Sequence, residues 1–213
     1  INKMKKNIIV TGGAGFVGSH ACKELYKSEF NPIVIDNLSN GFKHNVKWGP
    51  LEICDIKDEK KLIKVFNKYN PIAVIHFAAN AYVGESMENP IKYYDNNIVG
   101  TLSLLKVMSN FNIKNIIFSS SCATYGIPKY LPIDLKHPQD PVNPYGFSKL
   151  VCENMIKQIA TSCGFKYCIL RYFNAAGNDP ECELIEEHEP ETHLIPLAIR
   201  SAYEKNFKLR VFG

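Results

Sequence analysis

The sequence predicts an α/β fold, a doubly wound parallel sheet with helices on both faces. Three observations point to it. Apolar, β-branched runs alternate with helix-patterned stretches along most of the chain. Several runs are apolar at consecutive positions, as parallel strands covered on both sides are. A glycine-rich turn joins the first run to the first helical stretch, as in folds of this class.

Taken in order, residues 7–11, 32–35, 51–54, 73–78, 115–119 and 167–172 read as strands. Helices are expected over residues 15–28, 58–69, 91–110 and 144–163. Pro90 suits the first turn of the third, and Gly164 suits the end of the fourth. After Asn174 the pattern changes to an irregular acidic stretch, a helix over 194–205 and a strand over 209–212. The chain stops on that strand pattern, which suggests a fragment. Met4 reads as the natural start, with Ile1 to Lys3 added ahead of it.

Composition excludes several classes. The chain has 213 residues, 46% hydrophobic and 22% charged, which fits a soluble globular protein of about one and a half domains. A net charge of +4 with scattered Lys and Arg gives no case for nucleic acid. The one dense charge run, residues 179–191, is acidic and carries no Lys or Arg. No apolar stretch approaches the ~20 residues that cross a bilayer, and no secretory leader opens the chain, so no membrane partner is expected. Seven irregularly spaced cysteines read as reduced thiols of a cytoplasmic protein, most of them small core hydrophobes. The histidines show no local metal-ligand spacing, apart from His188 inside the acidic run, so no metal is expected.

The glycine turn holds two registers at once. Gly13, Gly15 and Gly18 fit G-x-G-x-x-G, while Gly12, Gly15 and Gly18 fit G-x-x-G-x-x-G. Either way, glycine lets backbone amides approach a pyrophosphate at a helix N-terminus, where free N–H groups favour an anion. This is the phosphate loop of a Rossmann-type nucleotide site. Asp36 closes the second strand at the distance expected of a ribose-binding acid. Its carboxylate accepts from the 2′- and 3′-hydroxyls and repels a 2′-phosphate. No arginine stands at 37–41, although Lys43 is close, so NAD is favoured over NADP. Asp55 and Ile56, after the third strand, are candidates to flank adenine.

Tyr145 and Lys149 are spaced i, i+4 on one face of the fourth helix. A free phenol titrates near ~10, too high for a base at neutral pH. A nearby ammonium and a positive nicotinamide ring are expected to bring Tyr145 down toward neutrality, with Lys149 also holding the nicotinamide ribose. The fifth strand ends in Ser119, Ser120 and Ser121, where a hydroxyl can meet the same substrate oxygen as the tyrosine.

With these motifs in order, the chain resembles the extended short-chain dehydrogenase/reductase family. Within it, the likeness is to the branch that inverts carbon 4 of UDP-hexoses, interconverting UDP-glucose and UDP-galactose. It extends over residues 5–213 through the glycine loop, Asp36 to Gly41, His76 to Ala79, Val83 to Ser86, Asn96-Asn97, the serine run, Pro144 to Lys149 and Leu170 to Asn174. The resemblance implies that Gly12, Gly15, Phe16 and Val17 lie on the pyrophosphate of NAD. Asp36, Asn37, Leu38, Ser39, Asn40 and Gly41 would meet the adenosine ribose and its phosphate, and Asp55 and Ile56 the adenine. Phe77, Ala78, Ala79, Asn97 and Ser119 would line the middle of the cofactor, with Tyr145, Lys149 and Tyr172 near its nicotinamide end. Ser121, Tyr145, Asn174, His193, Leu194, Arg210 and Phe212 would contact the UDP-sugar, and Ser121, Tyr145 and Lys149 would carry the chemistry through a 4-keto sugar.

The resemblance further implies an NAD-binding domain over 4–174 and the incomplete start of a small substrate domain over 175–213. It also implies a homodimer built as a four-helix bundle. Residues 91–110 and 144–163 would supply the helices, with Leu104, Val107, Met108, Met155 and Ile159 as the apolar stripe. A core-facing stripe explains those five nearly as well. Ala81 stands where some relatives carry a lysine near the cofactor. The related 4,6-dehydratases carry an Asp–Glu pair after the strand-five hydroxyl; here Cys122 and Ala123 stand there, which counts against dehydration. Epimerases of UDP-xylose/arabinose or UDP-glucuronate/galacturonate share these motifs and remain an alternative, and a non-catalytic NAD sensor or scaffold on the same fold is the alternative of a different class.

Overall fold

The computed structural model describes residues 5–188, 191 and 193–210. Six strands form one sheet in the order β3-β2-β1-β4-β5-β6, and every pairing is parallel. They are β1 (Asn7–Thr11), β2 (Asn31–Asp36), β3 (Leu51–Ile53), β4 (Ala73–His76), β5 (Asn115–Ser121) and β6 (Lys166–Tyr172). The order reverses between β1 and β4, so a crevice opens beyond the carboxyl ends of those two strands.

Residue alternation assigns the two faces. Ile9, Ile33, Ile35, Val74, Ile116 and Phe118 lie in the larger core, under α2 (Glu59–Tyr69), α5 (Gly100–Asn110) and α6 (Pro144–Cys163). Ile8, Val10, Val34 and Ile75 lie on the other face, with Cys22 of α1 (Phe16–Lys27). Helices cover both faces, as expected, but unevenly. The β3→β4, β4→β5 and β5→β6 connections carry helices onto one face, and only β1→β2 carries one onto the other. Beyond β4 an apolar hollow on the α1 side is lined by Leu25, Ala73, Ile75, Ile117 and Tyr167. Tyr167 and Cys168 of β6 are exposed.

Local chemistry explains the ends of the helices. Asp58 caps α2 by accepting from Lys61 N at 3.0 Å, and Asn70 ends it in the left-handed region, φ 41°. Asn143 caps α6 by accepting from Gly146 N at 2.7 Å; Pro144 opens the helix, and Gly164, φ 69°, ends it. The expected helix over 91–110 is interrupted. Pro90 opens α4 (Pro90–Tyr93), a π-helical segment follows over Tyr94–Val99, and α5 completes the run. A further helix, α3 (Val83–Glu88), lies in a stretch the periodicity does not mark as helical.

The chain divides into two compact units, Ile1–Phe173 and Asn174–Gly213. Within the second, α7 (Leu194–Tyr203) is exposed on most of its surface, and Leu209 and Arg210 belong to no strand. The rest of the strand expected over 209–212 lies outside the described residues. All seven cysteines are free thiols. Cys22, Cys54 and Cys152 are buried as expected of small hydrophobes, whereas Cys168 and Cys182 are exposed. Among the described residues, no helix is long and apolar enough to cross a membrane.

The proposed dimer stripe is corrected in part. Leu104, Val107 and Met108 are at most 1% exposed and belong to the larger core, while Met155 and Ile159 pack against it. Their side chains seal α5 and α6 onto the sheet, so the core-facing reading holds for them. Replacing Leu104 by Ala should lower unfolding stability by about 2–5 kcal/mol in urea titration, the usual cost of a large-to-small change in a packed core. A change near zero would show that Leu104 does not pack there.

Candidate active site

The site begins where β1 turns into α1. Gly12 has φ +70°, and a Cβ there would come within 2.6 Å of Ala78 N. A Cβ on Gly18 would come within 2.2 Å of Gly12 O, so the start of α1 packs on the turn only because that position is bare. Gly15 caps α1 without any side-chain hydrogen bond, at the end of a helix that favours an anion. This is a cradle whose donors suit a pyrophosphate.

Asp36 braces the cradle. Its Oδ2 accepts from Ala14 N at 3.0 Å and its Oδ1 from Leu38 N at 2.8 Å. Burial holds its carboxyl above the usual value, and the two backbone hydrogen bonds oppose that shift. Each oxygen keeps lone-pair capacity for a further donor. Phe42 N donates to Ala14 O at 3.0 Å, and Gly41 lies so close to Ala14 that a Cβ would meet it at 2.9 Å. Residues 36–41 therefore fold back over the glycine turn. Asn37 and Asp55 approach at 3.5 Å, whereas the Ile56 side chain is buried in the core against Gly100.

Behind the crevice stands a buried polar column. Thr11 Oγ1 and His76 Nδ1 are 2.6 Å apart, and His76 Nε2 lies 2.9 Å from Thr101 Oγ1. Burial, reinforced by the charge of Lys149, pushes the His76 imidazole down to about 3, so it is neutral at physiological pH. Asn97, 2% exposed, sits in the π-helical segment. Its Oδ1 accepts from Asn80 N at 2.8 Å, and its Nδ2 donates to Asn80 O at 3.1 Å and to Ser148 Oγ at 3.0 Å. The π turn is what aims Asn97 at both the β4 loop and α6.

Ser121, Tyr145 and Lys149 come together at the carboxyl end of β5. Ser121 Oγ accepts from Ala123 N at 3.1 Å, and the Ser121 hydroxyl stands close enough to the Tyr145 phenol to favour its ionised form. Gly146 makes this meeting possible, since a Cβ there would lie 2.4 Å from Ala123 O. Tyr172 pairs in register with Ser121 on the neighbouring strand. Tyr145 also lies edge-on to Tyr93, with ring centroids 6.4 Å apart.

One expectation is corrected here. Tyr145 lies above, not below, the ordinary phenol value, because burial outweighs the Ser121 hydrogen bond. Lys149 does not supply the lowering charge: its Nζ donates to Ser119 O at 2.8 Å and stands 5.9 Å from the centre of the Tyr145 ring. Burial brings Lys149 itself from 10.5 down to about 8.

Sequence reasoning missed the group that holds this corner together. Glu153, one turn after Lys149, has no solvent access and faces Arg171 of β6, with contacts of 2.9 and 2.7 Å. Ser120 Oγ donates to it at 2.6 Å and Gln139 Nε2 at 3.2 Å. Burial opposes ionisation, but Arg171, Ser120 and Gln139 outweigh it and keep the carboxyl below its usual range. The i, i+4 spacing from Lys149 was the available signal; the partner on β6 carried none.

The remaining candidates, Asn174, His193, Leu194 and Arg210, belong to the second unit, where all four are exposed. Phe212 lies outside the described residues.

Residues 8–213 match the NAD dependent epimerase/dehydratase family. The chain belongs to that family. A UDP-glucose 4-epimerase of Rhizobium meliloti is 49% identical over 207 residues, 97% of this chain and 63% of that protein. The crystal structure of UDP-glucose 4-epimerase from Brucella ovis in complex with NAD superposes with a TM-score of 0.91 at 52% identity, covering 92% of this chain and 61% of the other. The Bifidobacterium longum enzyme in complex with NAD+ and UDP gives 0.83 at 39%, covering 86% and 58%. The chain thus spans about three fifths of the length of these relatives. The family membership is in line with the resemblance carried by the glycine loop and the tyrosine–lysine pair.

The lowered Lys149 has a measurable consequence. Below about pH 8 the folded and unfolded chains both hold its proton; between about 8 and 10.5 only the unfolded chain does. Stability from this group therefore rises with pH across that window, by roughly 3 kcal/mol in all. In urea titrations of the ligand-free protein, Lys149→Met should remove that rise. An identical pH dependence in both proteins would refute the assignment.

Proposed function

We propose that this chain performs the NAD-dependent inversion of carbon 4 of a UDP-hexose, interconverting UDP-glucose and UDP-galactose. The observation that carries the reading is the meeting of Ser121 and Tyr145, with Lys149 behind them, at the mouth of a glycine cradle. The names of the relatives support it. Cys122 and Ala123, which offer no paired acid and base, speak for epimerisation over dehydration.

In this reading the pyrophosphate lies on Gly12, Gly15, Phe16 and Val17: the bare glycines let it approach, and N–H groups at the start of α1 meet it. Asp36 accepts from the adenosine ribose, residues 37–41 close over it, and Asp55 stands beside the adenine. Phe77, Ala78, Ala79 and Asn97 line the middle of the cofactor, and Lys149 and Tyr172 its far end. Bound NAD supplies a hydride acceptor that is regenerated in each cycle, and its oxidised ring carries the positive charge that the phenol otherwise lacks.

Tyr145 removes the proton from the 4-hydroxyl and later returns it to the same oxygen. Ser121 holds that oxygen in line with the phenol. Lys149, fixed by Ser119, keeps a cation behind the pair. Inversion requires the 4-keto sugar to present its opposite face before hydride returns, so the contacts to the sugar must allow it to turn. Asn174, Leu194 and Arg210 are proposed to contact the UDP-sugar. We also propose a homodimer, for which exposed Ile91, Val99 and Phe147 on the α4–α5 run and α6 offer the surface.

In the full chain, Tyr145→Phe should lower sugar interconversion by about 10²–10⁴-fold, the range for a positioned acid–base group, while bound NAD is retained. Wild-type protein that holds NAD and leaves both UDP-hexoses unchanged would favour the sensor reading. For the assembly, Ile91→Glu should shift sedimentation from dimer to monomer. A monomeric wild type would end the dimer proposal.

A further inference from the structure

We propose that Glu186, His188 and His193, in the second unit, bind a divalent transition-metal ion of the zinc class. One ligand atom from each lies within 4.8 Å of the others. His193 Nδ1 is 3.2 Å from His188 Nδ1 and 3.1 Å from Glu186 Oε1. A tetrahedral ion with bonds of roughly 2.0–2.1 Å keeps neighbouring ligand atoms about 3.3 Å apart. The two measured edges match that spacing, and the third lies within reach of a small rotamer adjustment.

A second observation points into the same place. The Glu186 side chain is only 7% exposed, and its Oε1 finds no hydrogen-bond partner among the described residues, despite the nearness of His193. A buried carboxylate oxygen without a partner is costly. One imidazole N–H can satisfy one neighbouring acceptor, whereas three acceptors converge here. A cation between them satisfies all three at once. Imidazole nitrogen with carboxylate oxygen suits zinc and its neighbours better than magnesium or calcium, which take oxygen shells.

Glu191 stands beside the set. Its two oxygens lie 3.4 Å from His188 Nδ1 and 3.5 Å from His193 Nδ1, and Oε1 accepts from His193 N at 2.7 Å. It orients the two rings and offers a fourth ligand after a small shift. His193 is the residue before α7, so an ion here ties the acidic stretch to the start of that helix. The His193 ring would then position Leu194 and would not be free to contact a UDP-sugar. The proposal concerns a structural ion and is independent of the epimerase reading.

The test uses the full chain. Zinc analysis of purified protein should find about one ion per chain. After chelation, cobalt(II) should restore one equivalent with the visible absorption of a tetrahedral nitrogen–oxygen site. His188→Ala, His193→Ala and Glu186→Gln should each weaken zinc by at least about tenfold, since even outer-shell changes reach that size. Glu181→Gln, in a separate cluster with Asp179 and Glu183, should not. Far-ultraviolet circular dichroism establishes that each variant is folded. Should a histidine variant fail to fold, zinc X-ray absorption on the wild type decides instead, by an imidazole-containing shell without sulfur. Absence of bound or titratable zinc, a sulfur shell, or unchanged affinity in the folded variants would overturn the proposal.

Discussion

A single carboxylate without access to water organises the corner where Ser121, Tyr145 and Lys149 meet. Glu153 draws Arg171, Ser120 and Gln139 onto itself, so that α6, β5, β6 and the loop before α6 share one charge. In a low-dielectric interior each of these donors is needed, because an unpaired carboxylate there is far costlier than the pair is stabilising. Arg171 also donates to Tyr125 hydroxyl at 2.9 Å, which extends the clamp to the turn after β5. The neighbours of the clamped residues, Ser119, Ser121, Lys149 and Tyr172, are the ones aimed at the crevice. Their placement follows from the clamp together with the bare Gly146, which lets the start of α6 close against Ala123.

The rest of the crevice obeys the same logic of buried polarity with assigned partners. Asp36 is held by two backbone amides, His76 by two threonines, and Asn97 by Asn80 and Ser148. Such groups cannot move singly without exposing an unsatisfied neighbour, so the pocket is stiff before any ligand arrives. Tyr145 is the member left electrostatically unfinished. Its burial favours the neutral phenol, and Lys149 is engaged elsewhere.

Much of the fold was legible because it rests on periodicity and punctuation. The six strands, the helices over α1, α2 and α6 and the roles of Pro90 and Gly164 followed from local pattern. The third helix was read as one piece because apolar spacing carries no mark of an inserted π turn; the extra residue is selected by what Asn97 must reach. Leu104, Val107 and Met108 left two readings open, since a core stripe and an interface stripe share one spacing. The cluster of Glu186, His188 and His193 escaped for another reason. His188 and His193 are not spaced as neighbours on a helix, yet their rings stand 4.2 Å apart between centroids.

By itself the sequence determined the strand–helix alternation, the glycine cradle with its acid, and the presence of a tyrosine and a lysine on one helical face. These are local consequences of residue size, backbone freedom and the 3.6-residue repeat. Only the tertiary structure decided which charge reaches which group. Lys149 turns to Ser119, Glu153 to Arg171, and Tyr145 keeps Ser121 beside it, because burial and distance set electrostatic coupling and neither is written along the chain.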